Sequence, residues 1–383
     1  MEQPLATMAL ARVGKCCRSL LLESSKFCGS VQPAWIESCI GAKRHLLPED
    51  VVKLQKFQQS KLAVAHLLNG TKGNFIEFFS QKLQRNELIL RDELKLLIHL
   101  CQTAEDVMVA RDAIYRYHAE NHNLMYGEFK FGPLFMRLCY ELGLEGLAAA
   151  TITDMRLNGF FHDATSFNIA IDMLFTKGQY ETALEVLRIM KSQNVPFNKD
   201  TLTLAFGICY KLNTAESYKI CLAFVEERQS KEHVIPKRAY CFAIALSLCQ
   251  NDIAKAQLMF SQIMSTECRL CQNLKVVILA KSGAIMDAVS VLAAAVLPKS
   301  PYFVKKLEFS QEVVDLLRLQ SEGQPSMLNV EKIVTQLVRA DQVTQQTLDD
   351  MLCHTPTGKE TPIMQRKTSR RTLKPLHSTL LSE

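Results

Sequence analysis

The chain has 383 residues, and 48% of them are hydrophobic, with only 15 glycines and 12 prolines. This composition is typical of a folded, helix-rich protein. Thirteen cysteines in a chain of this length do not form a disulfide scaffold, which indicates a reducing compartment. No uncharged apolar run reaches the ~18 residues that a membrane-spanning helix needs.

The formal charge of +6 is unevenly distributed. Residues 1–47 carry a net +3 and residues 354–383 carry a net +4, so the segment 48–353 is at −1. Any nucleic-acid groove on this body must therefore be a local patch. The balance also argues against tight nonspecific RNA binding, which depends on neutralising phosphates.

Residues 1–47 have the pattern of a targeting segment. On a helical wheel Arg12, Lys15 and Arg18 share one arc. The opposite arc is apolar and consists of Leu10, Val13, Cys17, Leu20 and Leu21. A basic, serine-containing amphipathic segment is typical of a mitochondrial transit peptide, although Glu2 departs from the pattern. The alternative is an ordinary disordered terminus. We expect the mature chain to begin between about residue 25 and residue 47.

Helical patterns begin at Pro48. Residues 48–128 contain two helix pairs, the second of which has Ala110 at a small-residue position. Terminal units of a repeat array differ from internal ones, so we predict an atypical first repeat and a capping unit here.

Residues 129–298 form a recognisable array. Residues that tolerate positive φ recur at spacings of 35, 35, 38 and 32, at Gly143, Gly178, Asn213, Asn251 and Gly283. A small residue follows five places later in four of the five units, at Ala148, Ala183, Ala256 and Ala288; Tyr218 interrupts the series. The clearest unit is Ala164–Asn198, where two apolar helical patterns flank Gly178.

This signature of turn, alanine and methionine, with Met155 and Met190 twelve places after their glycines, resembles the pentatricopeptide repeat family. The tetratricopeptide alternative opens with a tryptophan motif. The single tryptophan, Trp35, lies outside the array. The resemblance implies an all-α fold, a right-handed α-solenoid of helix–turn–helix repeats with disordered N- and C-terminal ends.

Two further regions follow the array. Pro298 and Pro301 end it, and residues 299–353 are predicted to form a helical extension with helices over 310–320, 328–340 and 344–353. Residues 354–383 are rich in Thr, Ser and Arg, lack apolar periodicity, and are predicted to be a basic disordered tail.

The resemblance also implies candidate RNA-binding residues. Family members read a single-stranded base with the fifth and the last residue of a repeat, and these are Asn168 and Asn198 in the clearest unit. The fifth residue of the next unit is Thr203. The alternative role for the two asparagines is helix capping and turn formation.

Nearby cations complete the candidate site. Lys199, Lys237 and Arg238 are candidate phosphate contacts, with ordinary surface charge as the alternative. Other units depart from the family pattern at the fifth residue, with Pro133 in one and Cys241 in another. At most two repeats therefore look able to read a base.

No catalytic or metal site is predicted. The sequence contains both parts of a zinc deaminase motif, an H-x-E at His118 and Glu120 and a C-x-x-C at Cys268 and Cys271. The two parts lie in different repeats, so they do not form one motif. The CxxC pair has no second ligand pair at metal-binding spacing. We expect a protein that is not an enzyme and that needs no cofactor.

The order of targeting segment, short array, helical extension and basic tail is similar to that of animal mitochondrial members of this family. This resemblance implies a factor of the mitochondrial matrix that acts in the maturation of mitochondrial transcripts and supports the respiratory chain. The expected partner is single-stranded mitochondrial RNA, the chain has no membrane span, and we expect a monomer. The alternative function is a helical scaffold that recruits RNA-processing or ribosomal proteins.

Overall fold

The computed structural model describes residues 45–67, 72–121, 130–296 and 306–356. Most of the predicted targeting segment, the two prolines after the array, and the tail beyond residue 356 lie outside these ranges. Within them the prediction of an all-α repeat fold is confirmed, because helices account for nearly all of the regular structure. The only described strands, β1 (Phe309–Ser310) and β2 (Val343–Thr344), form one short parallel pair.

The helices follow one another through short turns. Their bounds in the described residues are α1 Glu49–Val52, α2 Leu54–Leu67, α3 Lys72–Gln84, α4 Arg91–Leu100, α5 Ala104–Asn121, α6 Gly132–Leu142, α7 Glu145–Thr153, α8 Ala164–Lys177, α9 Tyr180–Ser192, α10 Lys199–Leu212, α11 Ala215–Ser230, α12 Lys237–Cys249, α13 Ile253–Ser261, α14 Arg269–Lys281, α15 Ile285–Val296, α16 Gln311–Ser321, α17 Met327–Arg339 and α18 Leu348–Leu352. A 3-10 turn, Met155–Leu157, follows α7.

The helices from α2 to α17 form two rows. The even-numbered helices α2 to α16 pack each against the next, and we call them the A row. The odd-numbered helices α3 to α17 form the B row, which packs along one side of the A row. Because each A-row helix is followed by a helix that runs back, successive A-row helices point in the same direction and their N-termini share one edge.

Three central A-row helices are enclosed on all sides. Every residue of Ser166–Phe175 in α8, Thr201–Tyr210 in α10 and Ala239–Leu248 in α12 is buried. A helix that is covered on one side buries only a stripe, so an unbroken buried run requires cover on the opposite face as well. The B row supplies one cover, and the other is described with the candidate site.

The predicted turn residues adopt the conformation for which they were identified. Gly143, Gly178, Asn213, Asn251 and Gly283 all have positive φ, between 46° and 80°. Positive φ just after a helix lets the chain reverse while the last carbonyl groups remain hydrogen-bonded. The repeat boundaries could therefore be predicted from the sequence.

The small-residue positions are confirmed as helix contacts. Ala148, Ala183, Ala256 and Ala288 are fully buried on B-row helices. Tyr218, which interrupts the series, instead reaches the next unit, where its hydroxyl donates to Asp252 Oδ2 at 2.9 Å.

The region after residue 305 continues the array. Helices α16 and α17 pack on α14 and α15 in the same two-row manner, so this extension adds a further helix pair. The first two predicted helices of the extension are confirmed to within one residue at each end. The third is shorter than predicted, because Thr347 caps α18 and the helix has only five residues.

Gly132 and Gly146 provide a matched test of packing between repeats. A Cβ on Gly132 would overlap Ser166 Oγ and lie 3.0 Å from the Phe161 ring, and Ser166 is fixed by hydrogen bonds of 2.9 Å to Asp163. Nothing lies within 4 Å of the Cβ position of Gly146. We expect Gly132→Ala to lower the free energy of unfolding by about 1–3 kcal/mol, and Gly146→Ala to raise it by about 0.5–1 kcal/mol.

Urea denaturation of the full chain measures both changes as shifts of the midpoint. Equal shifts for the two variants would contradict the close contact of α6 with α8.

Candidate nucleic-acid interface

Asn168 lies inside the protein. Its side chain is 1% exposed, and both ends of the amide are bonded within the fold. Thr201 Oγ1 donates to Asn168 Oδ1 at 2.7 Å, and Asn168 Nδ2 donates to Asn198 Oδ1 at 3.2 Å. The sequence interpretation placed Asn168 on the edge of an open groove. In the structure this residue instead joins α8 to the start of α10.

Asn198 caps α10 and remains exposed. Its Oδ1 accepts from the backbone N–H groups of Asp200 at 2.9 Å and Thr201 at 2.8 Å. The capping role that the sequence allowed is thus present, because these N–H groups have no partner inside the helix. Thr203, the other predicted base contact, is nearly buried and donates to the carbonyl oxygen of Lys199 at 2.9 Å.

Lys199 and Lys237 are exposed at the first positions of α10 and α12. Lys53 precedes α2 and Lys130 precedes α6 by two residues, and both are also exposed. No carboxylate of the described ranges forms an ion pair with any of these four lysines. Helix N-termini carry partial positive charge, so this edge of the A row attracts anions. We call these four residues the edge lysines.

Arg238 does not face solvent as a phosphate contact would. Its guanidinium donates to the carbonyl oxygens of Leu46 at 2.8 Å, His354 at 2.5 Å and Leu352 at 3.2 Å. Burial lowers the pKa of this guanidinium. The candidate phosphate contact Arg238 is thus engaged within the protein, because two distant parts of the chain meet on α12 and accept hydrogen bonds from four of its five N–H groups.

Those two parts are the missing cover of the A row. We call residues 45–52 the N-segment and residues 347–355 the C-segment. The two meet where Thr355 Oγ1 donates to the carbonyl oxygen of His45 at 2.5 Å. Helix α1 of the N-segment lies on α8, and α18 of the C-segment lies on α12 and α14.

Asp172 holds the N-segment. This carboxylate is fully buried in α8 and accepts from the backbone N–H groups of Leu46 at 2.7 Å and Leu47 at 3.2 Å. His45 Nδ1 lies 3.0 Å from its second oxygen and 2.8 Å from the Tyr140 hydroxyl. The sequence interpretation grouped residues 45–47 with the targeting segment, whereas the structure buries Leu46 and Leu47.

Gly207 makes room for Leu46. A Cβ at this position of α10 would lie 2.9 Å from Leu46 Cδ1, so any side chain would force the end of the Leu46 side chain to move. Neither Gly207 nor Asp172 was singled out from the sequence. A lone carboxylate in the apolar run Phe167–Phe175 is the signal that could have identified Asp172, because a buried charge needs partners.

Lys211 holds the C-segment. Its ammonium lies 2.7 Å from both carboxylate oxygens of Asp349, and the two side chains are 9% and 6% exposed. Burial opposes the charge, but the Asp349 carboxylate raises the pKa of Lys211 above its ordinary value. The pair is thus a desolvated ion pair between α10 and α18.

A cavity of about 270 Å³ lies beyond the N-segment, toward the start of the A row. It is lined by Lys53, Lys56, Phe57, Ser60, His99, Leu134 and Arg137. Arg137 Nε donates to the carbonyl oxygen of Val52 at 2.6 Å, which fixes the end of α1 beside the cavity. The lining contains no carboxylate, so this part of the A row is open and basic.

The cysteines behave as small apolar residues. Burial raises the pKa to about 12 for Cys101, Cys139, Cys209 and Cys353, which keeps these thiols protonated. The described ranges contain no group of three or more His, Cys, Asp or Glu side chains placed to hold a metal ion. In these ranges no helix is long and apolar enough to cross a membrane.

Two rows of helices with left-handed turn residues define an α-helical repeat protein. The chain is 53% identical over 383 residues to pentatricopeptide repeat-containing protein 2, mitochondrial, of Danio rerio, covering 98% of this chain and 100% of the relative. It is 47% identical over 348 residues to the protein of that name in Homo sapiens, with 90% of each chain covered. The chain therefore belongs to the family of pentatricopeptide repeat-containing protein 2.

The likeness extends to other vertebrates. The Mus musculus protein of the same name is 46% identical over 348 residues, which cover 90% of this chain and 91% of the relative. No protein-family model matches the chain. The family is thus shown by similarity along most of the chain.

Proposed function

We propose that this protein binds single-stranded RNA in the mitochondrial matrix and takes part in the maturation of mitochondrial transcripts, thereby supporting the respiratory chain. The observation that carries the proposal is the row of edge lysines along the A row. These exposed ammonium groups stand at the starts of α2, α6, α10 and α12, and a phosphate backbone that follows this edge would meet them while also passing Asp92 at the start of α4 and Asp163 at the start of α8. The names of the relatives support the mitochondrial location.

RNA on this edge would also pass Asn198. Its exposed position beside Lys199 keeps it as a candidate base contact, with Lys199 and Lys237 as phosphate contacts. Asn168, Thr203 and Arg238 are engaged within the protein, so they could contact RNA only after the A-row face opens. The protein would hold a transcript segment single-stranded and leave cleavage to a separate enzyme.

The alternative is a scaffold for RNA-processing or ribosomal proteins. Exposed apolar side chains on the B row favour it, since Met286 is 51% exposed on α15 and Leu328 is 82% exposed on the adjacent α17. This patch lies on the row opposite to the N- and C-segments. A protein partner on the B row and RNA on the A-row edge would not compete for the same residues.

Filter-binding titration of the full chain with a short single-stranded RNA tests the proposal. Four phosphate contacts predict an affinity that falls about 50-fold between about 50 mM and about 200 mM salt. Changing Lys199 and Lys237 to Gln is expected to weaken binding at low salt. It is also expected to halve the slope of log affinity against log salt concentration, because two of the four phosphate contacts are removed. The matched control changes Lys219 and Lys332, two exposed lysines of the B row, to Gln.

The control variant has the same net charge as the test variant, so we expect it to bind like the wild type. An equal loss of RNA affinity in the two variants would show that only net charge matters. It would contradict the assignment of the RNA-binding site to the A-row edge. Absence of binding by the wild type at low salt would overturn the proposed function and favour the scaffold.

A further inference from the structure

Three cations on the A-row face form hydrogen bonds or an ion pair within the protein itself. Arg137 on α6, Lys211 on α10 and Arg238 on α12 bind oxygen atoms of the N- and C-segments at distances between 2.5 and 3.4 Å. The partners are backbone carbonyl oxygens and the carboxylate of Asp349. A single-stranded phosphate backbone offers the same kind of acceptor, a line of oxygen atoms, to the same cations.

Displacing the two segments would break no repeat helix, but it would expose the buried side chains of Leu46, Leu47 and Leu352. Each contains only one very short helix, α1 or α18, which is not stable in isolation. Both segments lie at the ends of the described body, outside the two rows. Lys53, the residue that joins α1 to α2, has a φ of 57°, an unfavourable conformation for a side-chain-bearing residue. The regular helix is therefore interrupted at Lys53, between the N-segment and α2.

We propose that the N- and C-segments act as an intramolecular competitor of RNA, occupying the A-row face until a strand displaces them. This inference rests on the proposed function and adds its regulation. The edge lysines and the basic cavity make the first contact. Displacement of the segments then frees Arg137, Lys211 and Arg238 for phosphates and uncovers the face that carries Asn168 and Thr203. The intrinsic affinity is reduced by the cost of displacement, so a protein with released segments must bind RNA more tightly.

Two variants of the full chain release the segments by different means. Leu46→Glu places a carboxylate in the closed space beside Gly207, and Asp349→Lys sets two ammonium groups against each other at Lys211. We expect each variant to bind single-stranded RNA about 10-fold more tightly than the wild type, which corresponds to a displacement cost of about 1.4 kcal/mol. For Leu46→Glu the gain comes despite an added negative charge.

The matched controls are Leu328→Glu on α17 and Asp287→Lys on α15, both at exposed positions. They reproduce the changes in charge without touching either segment, and we expect wild-type affinity for Leu328→Glu. For Asp287→Lys we expect RNA affinity to rise by less than half as much as in Asp349→Lys. Thermal melting is followed in parallel, because displaced segments leave the two rows folded. A melting temperature lowered by more than about 10 °C in both release variants would make the segments part of the core and overturn the inference.

The titration separates this inference from the proposed function. Wild-type affinity in both release variants would overturn the competition and leave RNA binding intact. Absence of binding in the wild type and in every variant would overturn the proposed function itself.

Discussion

Replacement of Lys211 by methionine is expected to release α18 from the A row. The substitution leaves the Asp349 carboxylate buried without its counter-ion, which typically costs about 3–5 kcal/mol. The segment can avoid this cost by moving its carboxylate into water, so the loss appears as local opening. The backbone N–H of Met351 donates to the carbonyl oxygen of Thr347, and that of Cys353 donates to the carbonyl oxygen of Asp349. Hydrogen exchange at these two amides measures the opening of α18.

The double variant Lys211→Met with Asp349→Leu provides the control. A pair of apolar side chains of similar volume replaces a buried ion pair with little change in stability, so we expect protection within about 1 kcal/mol of the wild type. Loss of protection in the double variant equal to that in Lys211→Met would show that the ion pair does not hold α18.

Replacement of Asp172 by alanine is expected to free the N-segment. The buried N–H groups of Leu46 and Leu47 would lose their acceptor, and each unsatisfied donor costs about 1–3 kcal/mol. We expect hydrogen exchange at these two amides to become about 10-fold faster, because a displacement cost of about 1.4 kcal/mol corresponds to a factor of ten in the closed state's protection. Amides of the enclosed run in α12 should keep their protection.

Asp172→Asn is the conservative counterpart. One oxygen, Oδ1, accepts from both backbone N–H groups, and an asparagine can retain it while removing the charge next to His45. We expect the N-segment to remain bound in this variant, with a smaller increase in exchange. The same exchange rates in the alanine and asparagine variants would contradict the role of the carboxylate oxygen as the acceptor.

Local signals were enough to predict the repeats. A residue such as Gly178 or Asn213 identifies a helix end because the left-handed conformation has a specific chemical requirement. A buried alanine such as Ala183 identifies a helix contact because the backbones must approach closely there. Both requirements lie within a few residues of sequence, so one chain without relatives reveals them.

The cover of the A row could not be predicted in the same way. Leu46 and Asp172 are 126 residues apart, and nothing in the local pattern around Leu46 indicates where its N–H group bonds. Arg238 likewise looks like any surface cation until the two segments converge on it. Family likeness suggested an open groove, and the contacts that close it depend on residues far apart in the chain.

Cross-linking of bound RNA to the full chain, with the attached peptides identified by mass spectrometry, tests the central claim most directly. If single-stranded RNA binds the A row, cross-links will fall on the starts of α2, α6, α10 and α12, around Lys53, Lys130, Lys199 and Lys237. Cross-links confined to B-row helices, or to the chain ends outside residues 45–356, would contradict the assignment of the A row as the RNA-binding surface.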